Sequence, residues 1–171
     1  IAIYSGATNP ATMVLDELIR DVGLAGRDNI VHVGAEVLFM SFEGLQALSR
    51  ITASDGKAPI TDLSIAVRNS LSYYLATGDL TTVKSAYFQE EGLVVTFVPE
   101  NNLAYVFDFS ASSQLTIPRI TFWYFIDPPL CGVGTVDGNF IMGMKDTIAS
   151  YDGYYDVTIT DNLGCEQTEH F

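Results

Sequence analysis

Basic residues are scarce in this sequence: eight Lys and Arg stand against 21 Asp and Glu in 171 residues, for a formal net charge of −13. Binding nucleic acid through counterion release needs clustered cations, and none are here. An acidic surface repels a phosphate backbone, attracts cations, or keeps an assembly soluble. Cysteine is scarce too. Cys131 and Cys165 show no C-x-x-C spacing and no histidine at ligand distance, so two buried free thiols are expected rather than a disulfide staple. There is one Trp and there are two His, with His32 in an alternating strand and His170 near the end. G-x-S-x-G is missing, and no Ser, Cys or carboxylate falls into a nucleophile frame. No apolar run approaches ~18 residues and no basic leader opens the chain, so neither a membrane span nor a signal peptide is expected.

Apolar residues fill the rest. They make up 48% of the chain, and the mean hydropathy is +0.23. A chain of this length buries about 70% of its unfolded surface, so a packed core is expected. Three stretches share one pattern of apolar run, acidic residue near Gly or Leu, second apolar run, polar turn and third apolar run. They are Asn29–Leu48, Val83–Phe107 and Cys131–Tyr151. Each predicts a three-stranded antiparallel meander, and the repeat predicts a mainly β fold of propeller-like blades.

One inserted helix is expected over Asp62–Thr77. Pro59 precedes it, Thr61 or Asp62 can cap it, and Gly78 stands where it should stop. Leu63, Val67, Leu71 and Leu75 give an apolar stripe opposite Ser64, Arg68 and Ser72. Near the start, Ile1–Ser5 reads as a strand closed by a Gly6–Pro10 turn. Thr12–Leu18 fits a strand or a short helix, and Gly23–Asp28 is a connector. The run Ile120–Ile126 (ITFWYFI) points aromatics to both faces of a strand. Either it is a buried core strand, or one face is an interface.

The remaining motifs have bland readings. Gly132-Val133-Gly134 with Gly138 imitates a dinucleotide fingerprint, but Asp137 holds the third-glycine position and a strand follows where a helix should open. Asp137-Gly138-Asn139, Asp152-Gly153 and Asp161-Asn162 are turn signatures without the ligand register of a Ca²⁺ loop. Glu90-Glu91 suits a hairpin turn. No catalytic residue, cofactor or metal is expected, and the chain is not expected to be an enzyme. Arg27-Asp28 and Arg68-Asn69 are the most specific polar features. In a chain poor in Arg, each is expected to pin two elements together through a carboxylate or backbone contact. Trp123 joins Arg27, Asp28 and Arg68 as a candidate for a structural or assembly role.

In their order along the chain, four stretches resemble the tail nozzle proteins of short-tailed phages, also called tail tubular proteins B. They are Ile1–Pro10, Val22–Arg50 with its Gly, Arg-Asp and apolar strand, Pro59–Leu71 (PITDLSIAVRNSL), and Ala86–Phe109 followed by Gly138–Asp156. The third is similar to the family's Pro-Leu-x-Asp-Leu-Ser-x-x-Val-Arg helix. The chain departs from the family pattern at Leu45-Gln46 in the second stretch, which stands where a Val and a basic residue are common, and in the Thr52–Ala58 loop, which lacks the usual Glu-Lys.

The resemblance implies a structural virion protein in the tail, a subunit of a hexameric ring whose channel holds back the genome and then lets DNA pass. Adjacent tail adaptor and fibre proteins, and the host surface, are the implied partners, and viral DNA would pass without sequence-specific binding. Beginning on Ile1 inside a strand and ending at Phe171, residues 1–171 are expected to be a fragment of a longer protein. The rival reading is a propeller-type carbohydrate-binding or glycan-cleaving module; a passive interaction platform is a third.

Overall fold

The computed structural model of the protein describes residues 2–5, 10–18, 23–49, 62–110, 117–151, 156–161 and 166–170. It is mainly β, and its strands pair antiparallel throughout the described residues. Strands β1 (Ala2–Ser5) and β2 (Val14–Leu18) form a two-stranded ribbon with an irregularity at Ile3/Tyr4. A 3₁₀ turn, Pro10–Thr12, precedes β2, so the segment given as strand or helix is mostly strand.

The three predicted meanders are present as three sheets. The first contains β3 (Ile30–Val33), β4 (Glu36–Ser41) and β5 (Gly44–Ala47) in sequential order. The second contains β6 (Lys84–Phe88), β7 (Leu93–Val98) and β8 (Leu103–Asp108), extended by β9 (Arg119–Tyr124) to four strands. The third contains β10 (Cys131–Gly134), β11 (Phe140–Gly143) and β12 (Thr147–Tyr151), extended by β13 (Asp156–Asp161) and β14 (Glu166–His170) to five. Tight turns make this possible. Glu90-Glu91 lies in the β6–β7 turn, where Gly92 takes φ +66°, and Gly138 takes φ +84° in the β10–β11 turn. Those positive angles suit glycine.

The second sheet lies in the middle because both of its faces are apolar. Val94, Val98, Leu103, Tyr105 and Phe107 face a core shared with Leu38, Met40 and Leu45 of the first sheet. Ala86, Phe88, Val95, Phe97, Ala104 and Val106 face a second core shared with Phe140, Met142 and Ala149 of the third. The opening strands of the sheets adjoin, β3 and β10 each lying against β6. Ser85 N–H donates to the Asp28 carbonyl at 3.1 Å across one junction. At the other, a Cβ on Gly134 would stand 2.8 Å from the Tyr87 carbonyl. The Gly132-Val133-Gly134 run therefore serves close strand packing, not a phosphate.

Several expectations need correction. The helix, α1, spans Arg68–Thr77, and Leu63–Val67 is a series of turns after the irregular Asp62. The Asp62 carboxylate takes hydrogen bonds from its near neighbour Ser64 and diverts the chain from helical pairing. Ser64, assigned to the solvent face, is fully buried, while Leu71 and Leu75 pack as the stripe predicts. Gly78 ends α1 with its N–H donating to the Tyr74 carbonyl. The aromatic run is not a buried core strand: β9 is a sheet edge, with Phe122 39% and Tyr124 75% exposed. Cys131 is an exposed thiol rather than a buried one. Cys165, Asp152-Gly153, Asn162, the Thr52–Ala58 loop, the Thr61 cap and most of the Gly6–Pro10 turn lie outside the described residues.

Candidate functional site

Polar groups converge most tightly where α1 meets the first sheet. Leu63 N–H donates to the Leu45 carbonyl at 2.9 Å, laying the segment before α1 along β5. Beside that bond, Leu45 N–H donates to Ser64 Oγ at 3.0 Å. Ser64 in turn donates from its backbone N–H (2.8 Å) and its hydroxyl (2.5 Å) to Asp62 Oδ1. Arg68 Nε closes the set with a 2.7 Å bond to Asp62 Oδ2. The Asp62 side chain is wholly buried and that of Arg68 is 45% exposed. A buried carboxylate is tolerated when its lone pairs are met by donors and a cation, and here they are.

Gly44 completes the clasp. Its φ is +132°, and a Cβ there would run into Ser64 Oγ and lie 2.6 Å from Asp62 Oδ1. Glycine is needed on both counts, backbone angle and space. The parts missed from sequence are therefore Asp62, read as a helix cap, Ser64, read as a surface residue, and Gly44. Asp-x-Ser is a local turn signature that could have revealed the first two.

Arg27 sits differently. Its side chain is 92% exposed and its Nε bonds to the neighbouring Asp28 Oδ1 at 3.1 Å, so it joins no two elements. Asp28 does the joining. Its Oδ2 lies 3.6 Å from Lys84 Nζ on β6, and its carbonyl accepts from Ser85. The Arg27 hydrogen bond, with weaker help from Lys84, holds the Asp28 carboxyl below its ordinary range. Arg27 and Asp28 border an open groove of about 400 Å³, lined also by Ala25, Gly26, Leu80 and Thr81.

The chain matches no family model, no curated protein and no solved structure.

Trp123 turns inward from β9, its ring centroid 5.1 Å from that of Tyr151 and 6.5 Å from that of Phe140. Partly buried, it packs against the core between the second and third sheets. On the opposite face an aromatic row crosses from α1 to the sheet edge. Tyr74 and Tyr105 are 6.4 Å apart, Tyr105 and Phe122 5.1 Å, and Phe122 and Tyr124 6.3 Å. Tyr105 donates its hydroxyl to Ser70 Oγ at 3.0 Å, and burial pushes its phenol above the ordinary value. His32 is exposed on β3. Among the described residues no three His, Cys, Asp or Glu side chains gather to hold a metal, and no helix is long and apolar enough to cross a membrane.

Proposed function

We propose that the chain is a structural virion protein, part of the tail nozzle of a short-tailed phage, built from propeller-like blades. The observation that carries this reading is the clasp. Asp62, Leu63, Ser64 and Arg68 belong to the stretch that resembles the family's Asp-Leu-Ser-x-x-Val-Arg pattern, and they act together to seat α1 on β5. A motif with a joint physical task is a better guide than scattered identities. The blade arrangement is supported by three sequential meanders packed face to face, with their opening strands side by side.

In this reading the protein works mechanically. Identical subunits surround an axis in a hexameric ring, loops between strands form a gate, and host contact shifts the gate towards open. Adaptor and fibre proteins flank it in the tail. The net charge of −13 suits a channel that must not hold the DNA sliding through it. Electron micrographs of the purified full-length product test the proposal: rings with a central channel are expected, and ringless particles would remove it.

A glycan-binding module is the second reading. The exposed Tyr73 (64%), Phe122 and Tyr124 favour it, since aromatic faces can stack on sugar rings. The inward turn of Trp123 speaks against it. A glycan array decides the point, with no binding expected on the nozzle reading.

A further inference from the structure

We infer that the free edge of β9 takes an extended, basic segment of another protein, which joins the second sheet as an antiparallel strand. Ladder geometry shows which backbone groups are open. β9 pairs with β8 in one unbroken register, from Leu103↔Tyr124 to Asp108↔Arg119. The next residue in that register, Phe125, donates its N–H to the Asn102 carbonyl at 2.9 Å. Hydrogen-bonded pairs recur at every second residue of an antiparallel ladder. Trp123, Thr121 and Arg119 are thus bonded inward to β8, and Ile120, Phe122 and Tyr124 turn their N–H and C=O groups outward. Among the described residues, nothing is bonded to those outward groups.

Among the described residues, β9 is the unguarded outer edge of the three packed sheets. β3 and β10 lie against β6, and Leu63 N–H covers the Leu45 carbonyl on the outer side of β5. β14 has Glu166 and Glu169 among its five residues. β9 has no Pro and no bulge, and its one charge, Arg119, stands at its end, held by Asp108 at 2.6 Å. Such an edge is a template for an incoming strand. Side chains and charge then define the guest. Directly opposite residues of paired strands share a face. Ile120, Phe122 and Tyr124 lie on the face of the Tyr105 ring, with Phe122 39% and Tyr124 75% exposed. Guest residues bonded to them place their side chains on this aromatic shelf, so every second one is apolar. The alternate residues stand on the side of the exposed Thr121 and are polar. The net charge of −13 makes them basic, and it opposes approach by a second, equally acidic copy. Neither ring nor tail enters this chemistry.

The test is fluorescence anisotropy with a labelled peptide of about eight residues alternating Val and Lys, long enough to span β9. Binding is expected, with a change in Trp123 emission. N-methylation of the Val amides, which face β9 in an antiparallel pair, should abolish it, whereas N-methylation of the Lys amides should spare it. Glu in place of Lys should weaken binding about tenfold at low salt. Phe122→Pro removes one outward N–H without taking a bond from β8, and should abolish binding. Tyr124→Ala, expected to weaken it about tenfold, keeps the test open should Phe122→Pro fail to fold. Tyr73→Ala, at the far end of the aromatic row, should change nothing. No binding at any salt would overturn the inference, as would binding indifferent to which amides are methylated or to both β9 variants. So would a chain that sediments as a dimer and becomes monomeric in Phe122→Pro, since a second copy would then fill the edge.

Discussion

Arg68–Asp62 and Arg27–Asp28 are the same chemical pair in two settings, and the setting decides what each does. In the first, the carboxylate is wholly buried and shared by Arg68 and Ser64, and Ser64 in turn accepts from Leu45 N–H of β5. In the second, the partners are chain neighbours, and Arg27 stands almost entirely in water. A neighbouring pair adds no contact between elements, and water screens it. The lesson concerns topology more than charge: an ion pair stabilises a fold when it braces a segment docked on another element and one partner cannot be rehydrated.

The comparison breaks first at Gly44. Gly44→Ala should destabilise the protein by about 4 kcal/mol, combining a disfavoured backbone angle with a collision at Ser64 and Asp62. Urea denaturation followed by Trp123 fluorescence measures it, and a loss under about 1 kcal/mol would mean that the clasp yields easily. Next comes the pair itself. Arg68→Ala leaves the Asp62 carboxylate buried without its cation and should cost about 2–3 kcal/mol, the half-exposed guanidinium keeping the value below that of a fully enclosed pair. A double-mutant cycle with Asp62→Ala should recover most of that as coupling.

The sequence carried the meanders because alternation and turn residues are local signals. The β6–β7 turn with Glu90-Glu91 and Gly92, and the Asp137-Gly138-Asn139 turn, announce their hairpins directly. The start of α1 was not legible in the same way. Asp62 and Ser64 look like capping and surface residues until β5 is brought beside them, and only the tertiary partner Leu45 reveals their task. Phe122 and Tyr124 show the same limit: hydrophobicity suggests burial on average, yet cannot say that β9 is a sheet edge. Arg27 and Arg68 are nearly indistinguishable as letters, each followed by Asp or Asn, because what separates them is solvent.

A smaller effect tests the intermediate case, Asp108 on β8. Burial alone would raise its carboxyl, but hydrogen bonds from the Ser110 side chain and backbone, and from Arg119 at 2.6 Å, outweigh this and pull it below the ordinary 3.8. A depressed folded pKa means stability that is complete above the unfolded value and lost as pH falls through the folded one. Urea stability should therefore decline below about pH 4, and Asp108→Asn should flatten part of that acid limb. An unchanged slope would mean that Ser110 and Arg119 favour the charged form no more than water does.

The smallest expected effect is the sharpest contrast with Arg68. Arg27→Ala should leave the denaturation midpoint where it was, since the side chain is 92% exposed and bonds only to its neighbour. Asp28 keeps Lys84 as a partner, and its carbonyl still receives Ser85 N–H. If Arg27→Ala nonetheless weakened assembly of the full-length product while the fold stayed intact, the exposed guanidinium would belong to a contact between subunits. Stability and assembly must therefore be measured on the same variant, because its effect on the fold is the one expected to vanish.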